Sequence, residues 1–182
     1  MAFLEGLGSF HNFHTQNLDP DESRCCNDDS YTSYISFPNY HSGRNGDYQA
    51  VIPVEPIHDL LKTHNGRIAY FPAHPHEGSV AVPVGVDYAR VVATGKSLVT
   101  GRSFNLAIAA DPPQDVTGAF PGRVVAQSTF HHLVDYNWDI SKGCPTFVDE
   151  PPGDDTIHHP ERLEDIKAYV RNLVLWLAPG QA

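Results

Sequence analysis

Only one long stretch of this chain carries helical periodicity, and it comes last. Leu163, Ile166, Val170, Leu173 and Leu177 recur at three- and four-residue spacing, so one stripe of a helix buries against a neighbour. Pro160 suits the first turn, where its missing N–H would have no intrahelical partner. Glu161, Glu164 and Asp165 complement the helix dipole near that start, and Pro179-Gly180 stops the helix. A doubly wound sheet needs repeated strand–helix–strand crossovers, which one terminal helix does not supply. The sheet is therefore small and mixed, or the chain is the C-terminal part of a larger domain.

Ahead of the helix the pattern is one of short strands and loops. Residues 1 to about 50 are polar and aromatic, with turn signals at Asn39, Ser42-Gly43 and Asn45-Gly46-Asp47. Within them only Ala2 to Leu7 suits a helix and only Tyr34 to Phe37 a short strand. From Val51 to Ile57 the prolines impose extended backbone, and His58 to Lys62 reads as one helical turn. Strands are predicted at Arg67 to Phe71, Ser79 to Val82, Arg90 to Ala93 and Ser103 to Ala110. In the last of these Phe104, Leu106 and Ile108 share a face, and Gly101-Arg102 makes a hairpin with the segment before it. Gly122 to Phe130 reads as an interior strand, because Val124-Val125-Ala126 is apolar on both faces.

At 182 residues the chain has room for a single domain, 1–182, with a loop-rich first 50 residues and a sheet and helix over 51–178. Twelve basic against 22 acidic residues give a net charge of −10, a field that repels phosphate backbones and anionic membranes. Nucleic acid is excluded as a partner on that ground. No apolar run approaches the ~20 residues of a membrane span, and Met-Ala-Phe-Leu-Glu-Gly lacks the basic and apolar regions of a signal peptide. Cys25, Cys26 and Cys144 make no disulfide framework. A cytoplasmic setting, with no membrane contact, is the expectation.

Three motifs in order resemble a known family. They are Pro56-Ile-His58-Asp-Leu-Leu61 leading into a strand, Phe71-Pro-Ala-His74-Pro-His76-Glu77-Gly78 at its end, and Gly122-Arg-Val-Val-Ala-Gln-Ser-Thr-Phe-His131-His132. The order resembles the second half of the class I glutamine-amidotransferase-like fold, and within it the trehalose-utilisation (ThuA-like) branch, over roughly 51–178. The resemblance implies a flavodoxin-like α/β sheet, incomplete at the N-terminus, with a long C-terminal helix. A start of Met-Ala-Phe-Leu-Glu-Gly-Leu-Gly, which resembles an interior helix, leads to the expectation of a truncated member. The amidotransferase nucleophile does not carry over. Cys25-Cys26 lies between Arg24 and Asn27, Cys144 lies in Gly-Cys-Pro, and His131-His132 is followed by Leu-Val-Asp135. Glutamine amidotransfer is not expected.

His74-x-His76-Glu77 is the sharpest chemical pattern. On extended backbone, alternate residues point the same way, so His74 and His76 present two imidazoles to one ion and Glu77 serves as ligand, orienting acceptor or general base. The alternative is that His76 and Glu77 cap backbone groups in a tight turn. Ligands of open α/β folds gather beyond the carboxyl ends of strands, which favours His131-His132. Adjacent strand residues face opposite ways, so one of the pair reaches a given site. The resemblance favours His131, with Asp135 as its orienting carboxylate, and leaves His132 as a ligand contact; a buried, backbone-bonded histidine is the other reading. Tyr40 and His41 lie among turn signals and are candidates to line a pocket for a sugar-like ligand. His11 and His14 have helical spacing that can place both imidazoles on one face, but an exposed loop or helix end accounts for them better.

Three functions follow as expectations. One is a hydrolase or lyase acting on a small polar, carbohydrate-derived metabolite. There a divalent metal such as zinc, held by His74, His76 and His131, activates water while Glu77 moves the proton and His131 and Asp135 assist. The second is a non-catalytic ligand-binding or assembly domain lacking the nucleophile. The third is a fragment whose sheet is completed by a homo-oligomer or a partner segment.

Overall fold

The computed structural model describes residues 28–32, 39–74, 79–82, 86–111, 122–144 and 148–178. The strands are β1 (Tyr48–Ala50), β2 (Ile52–Pro53), β3 (Lys62–Thr63), β4 (Gly66–Arg67), β5 (Tyr70–Pro72), β6 (Ala89–Lys96), β7 (Ser103–Ala110) and β8 (Val124–Gln127). The helices are α1 (Asp135–Trp138), α2 (Asp155–His158) and α3 (Leu163–Leu177), with short 3-10 turns between. The helix expected at residues 2–7, the strand at 34–37 and the pairs His11/His14 and Cys25/Cys26 lie outside the described residues.

The main sheet has the order β2-β6-β7-β8, and β1 pairs β5 in a second, two-stranded sheet. Every described pairing is antiparallel, so the molecule is mixed α/β. The parallel ladders of a flavodoxin-like sheet do not occur among the described residues. The β6–β7 hairpin pairs Ala89 with Ala110 and Lys96 with Ser103, and its reversal contains Gly101 in the left-handed region at φ 73, where glycine carries no Cβ penalty.

Burial inverts the expected roles of two strands. β8, read as interior, stands at the end of the described order, and only Val124 among its residues is buried. The two-faced interior strand is β7, buried at every position from Leu106 to Ala110. Its alanines at 107, 109 and 110 are small enough to accept close cover on both sides. Ser79 to Val82 is not a strand, and the strand expected at Arg67 to Phe71 divides into β4 and β5.

The core gathers Leu60, Leu61, Ile68 and Phe71 with Val92, Phe104 and Leu106 of the sheet and Ile166 and Tyr169 of α3. A smaller cluster of Ala89, Ile108, Ala110 and Val124 packs with Val80, Val82 and Tyr88. The helix is anchored by polar ties as well as by its apolar stripe. Asp165 Oδ2 accepts the backbone N–H groups of Ala69 (2.8 Å) and Tyr70 (3.0 Å). Asn172 Nδ2 donates to the carbonyls of Leu60 and Lys62. The stripe frays at its end, where Leu177 is exposed beside Val174 and Leu175. No helix among the described residues is long and apolar enough to cross a membrane.

Candidate functional site

Two loops that leave separate sheets deliver the histidines. His74 follows β5, two residues after Pro72, and is buried. His131 and His132 follow β8 in a 3-10 turn, His131–Leu133. The structure brings the loops together: the rings of His74 and His131 lie with centroids 3.9 Å apart at an interplanar angle of 50°. Adjacent residues of the turn diverge. His131 faces His74, whereas His132 is buried against Phe71 at 5.3 Å and its Nδ1–H donates to the Pro72 carbonyl at 2.6 Å. The pair therefore straddles the strand-end residues that lead into His74.

Each ring is held through its Nδ1. His74 Nδ1 lies 3.1 Å from Asn45 Oδ1; an amide oxygen only accepts, so the ring proton sits on Nδ1 and Nε2 keeps its lone pair. His131 Nδ1 lies 3.0 Å from Thr129 Oγ1, and that oxygen already accepts the His131 backbone N–H at 3.1 Å. The Thr129 oxygen has two lone pairs and one proton, so it serves the ring either as donor to Nδ1 or as acceptor of an Nδ1–H, and the His131 tautomer follows the way this hydroxyl turns. His74 thus presents a bare Nε2, and the Nε2 of His131 carries a lone pair or an N–H according to the Thr129 hydroxyl.

Burial keeps the cluster neutral. His74 is pushed down to about 2, first by desolvation and then by the positive charge that His131 and His132 would carry if protonated. His132 is lowered to about 4 by burial, partly opposed by its bond to the Pro72 carbonyl. His131 is lowered by burial alone.

The turn is clamped from below by α1. Asn137 Nδ2 donates to the His131 carbonyl and Trp138 Nε1 to the His132 carbonyl, both at 2.7 Å. Asn45 is fixed in turn by neighbouring segments, since its carbonyl accepts the Gly153 N–H at 2.7 Å and the Ala73 N–H donates to the Asp47 carbonyl at 2.9 Å. Ser42 Oγ lies 2.9 Å from Gln49 Oε1 and 3.3 Å from the His74 carbonyl. The sequence marks Asn45 as a turn signal, Thr129 as the end of a strand and Trp138 as a packing residue, and does not single out Asn137. Thr129, placed two residues before His131, is the signal a closer reading of hydroxyl–backbone turns would have used.

The other candidates fall elsewhere. His76 and Glu77 lie outside the described residues. Asp135 does not orient His131: it is exposed, its Oδ1 accepts the Tyr136 N–H, and Thr129 holds the ring instead. Tyr40 is fully buried and stacked on Phe104 at 4.6 Å, so its ring belongs to the core and offers no stacking platform. His41 Nε2 contacts Glu150 Oε1 at 2.7 Å, tying the 39–47 loop to the segment before α2. Asp47, Asp154 and Asp155 bring carboxylate oxygens within 4.8 Å of one another. Asp47 Oδ1 accepts the Asp154 and Asp155 N–H groups, which accounts for the cluster as the seam at the start of α2. No protein-family model matches the chain, and no curated protein or solved structure matches it.

Proposed function

We propose that the chain is a hydrolase- or lyase-type enzyme that moves a proton on a small polar metabolite through the His74–His131 pair. The observation that carries this reading is the 3.9 Å contact between two imidazoles whose Nδ1 atoms are secured by different neighbours. Such an arrangement fixes both rings before a ligand arrives, which is what general acid–base work requires. His131, the less buried of the two, is the group that exchanges the proton. His74 stays neutral over the working pH range and offers its Nε2 lone pair to a substrate N–H or O–H. A carbohydrate-derived substrate is the class that the resemblance to the trehalose-utilisation branch favours, an analogy of fold and not of chemistry.

A divalent metal fits the same rings in part. A neutral imidazole lone pair is a good zinc ligand, and a catalytic zinc takes three protein ligands and leaves one position open. Within the described residues His74 would supply one through Nε2 and His131 a second, as the tautomer whose Nδ1–H is donated to Thr129 Oγ1. His132 packs on Phe71 and does not stack with the pair, so the expected third ligand is His76 or Glu77, outside the described residues. Bound there, the ion would polarise a carbonyl and lower the pKa of its water.

The test is turnover of sugar lactones, followed by proton release, and of uronic acids, followed by absorbance of the unsaturated product. Wild type is compared with His131→Ala and His74→Gln. Loss of turnover in both variants, with unchanged melting, supports the proposal. Turnover that survives unchanged in both variants would overturn it, and an absence of turnover in wild type would overturn it in favour of a non-catalytic ligand-binding domain.

A further inference from the structure

At the opposite end of the main sheet, where β6 begins and β7 ends, lies a cleft of about 150 Å³ walled by His58, Asp87, Tyr88, Arg90, Asp111 and Trp176. β8 starts beside this end and runs away from it toward the histidine turn, so the two places are separate.

Its charges are arranged unusually. The Arg90 guanidinium donates only to neutral carbonyls, those of Pro56 at 2.7 Å and Val54 at 3.5 Å. No carboxylate among the described residues neutralises it. Asp87 is exposed and has no hydrogen-bond or ion-pair partner among the described residues. Asp111, by contrast, is already engaged by Arg123 at 3.2 Å. One cation and one anion therefore face a common cleft without pairing with each other.

A neutral donor stands beside them. His58 Nδ1 accepts the Leu60 N–H at 3.2 Å, which places the ring proton on Nε2. The ring packs edge-on to Trp176 at 5.1 Å. Burial, followed by the positive charge of Arg90, keeps it below the ordinary histidine range.

We propose that this cleft binds a small zwitterion of the α-amino acid type, its carboxylate on Arg90 and the His58 N–H and its ammonium on Asp87. An α-amino acid carries its two charges on adjacent groups, so it bridges a cation and an anion that do not touch. The cleft is small, about 150 Å³, and suits a ligand of a few heavy atoms whose carbon lies beside Tyr88 and Trp176. This inference does not depend on the histidine pair.

Glycine, acetate and methylammonium are the probes, added to the full chain and followed by calorimetry and by the His58 ring signals. Glycine is expected to bind more tightly than either single-charge probe. Asp87→Asn should weaken glycine by about ten-fold, the worth of ~1.4 kcal/mol, and leave acetate unchanged. Arg90→Gln should weaken glycine and acetate alike. Because Arg90 also ties Pro56, its melting is checked alongside; Asp87→Asn disturbs no contact and keeps the test sound if Arg90→Gln unfolds. Equal binding of glycine and acetate in wild type, or no effect of Asp87→Asn, would overturn the zwitterion. So would an absence of glycine binding at millimolar concentration.

Discussion

Asn45 Oδ1 receives the Nδ1–H of His74 at 3.1 Å, and this bond decides which ring nitrogen is bare. Replacing the amide by a side chain that cannot accept should release the ring into a mixture of tautomers. Long-range proton–nitrogen spectra of wild type should show a protonated His74 Nδ1 and an unprotonated Nε2. Asn45→Leu should average the two signals and lower any turnover that depends on the fixed lone pair. Asn45→Asp should retain the Nδ1–H form and raise the His74 pKa, because a carboxylate favours the charged imidazole. A wild-type ring protonated on Nε2 would count against the assignment.

Acid should loosen the fold through the same cluster. His74 and His132 stand at about 2 and about 4 in the folded protein, against ~6.5 in an unfolded chain. Between those limits the unfolded state binds more protons, so stability is fully present above the unfolded value and drains away as pH falls toward the folded values. Each residue contributes a slope of up to ~1.4 kcal/mol per pH unit in that window. Urea midpoints should therefore drop between about pH 6.5 and about pH 5, before most carboxylates titrate. His74→Gln should shallow that slope, with His132 and the likewise lowered His131 supplying what remains. A midpoint unchanged across the interval would show that these imidazoles charge without resistance.

The meeting of the two histidine loops followed from strand ends and sequence order, whereas the parts that hold the rings did not. His74 and His131 are separated by a hairpin and a further strand, and their types and positions announce them. Asn45 looks like a turn former, since short polar side chains satisfy nearby backbone in most loops, and Thr129 looks like the last stretch of a strand. Only the fold shows that each also faces a ring. Asp135 misled for the opposite reason, because a carboxylate four residues beyond His131 suggests an orienting partner until the chain turns into α1 and carries it to solvent. The sheet misled through composition. Val124-Val125-Ala126 is more apolar than Ala107 to Ala110 is bulky, yet the alanine strand occupies the middle because cover approaches it from both sides. The α3 helix was the most legible element, as its period and caps are local. Even there Tyr169, fully buried, lay outside the aliphatic stripe that defined the inward face.

Asp165 is expected to matter more than its position in an exposed first turn suggests. It does more than complement the helix dipole, since its Oδ2 satisfies two amides at the entrance to β5. Asp165→Ala leaves both half-buried N–H groups without a protein acceptor and should cost about 2–4 kcal/mol. Asp165→Asn keeps an acceptor and should lose less than half of that. Denaturant midpoints at neutral pH separate the cases; equal midpoints for all three proteins would show that water replaces the carboxylate.

Two glycines close the seam that steadies Asn45. Gly46 sits in the left-handed region at φ 93, and a Cβ there would run into the Gly153 carbonyl. A Cβ on Gly153 would run into the Asp47 carboxylate. Gly46→Ala adds about 1–2 kcal/mol of backbone strain to its clash, so it should be the more damaging; Gly153→Ala acts by the clash alone. Both should also move the His74 ring signals, since Gly153 N–H holds the Asn45 carbonyl at 2.7 Å. Destabilisation without any change at His74 would disconnect the seam from the histidine pair.

Tyr169 is a core residue whose replacement should strengthen the protein. Its ring packs on Phe71 at 4.8 Å, and Phe71 lies 5.3 Å from His132, so the helix reaches the histidine turn through aromatic contacts. The ring is therefore needed, but its hydroxyl is buried with no hydrogen-bond partner among the described residues, and burial raises the phenol pKa. Removing a desolvated, unsatisfied hydroxyl while keeping the ring returns its desolvation cost, about 1 kcal/mol by analogy with buried polar groups in other cores. Tyr169→Phe should raise the melting temperature and leave His132 undisturbed. Tyr169→Leu, which also discards the ring, should lose about 2–3 kcal/mol and shift the His132 signals. A Tyr169→Phe variant that melts lower than wild type would mean that the hydroxyl has an acceptor in solution.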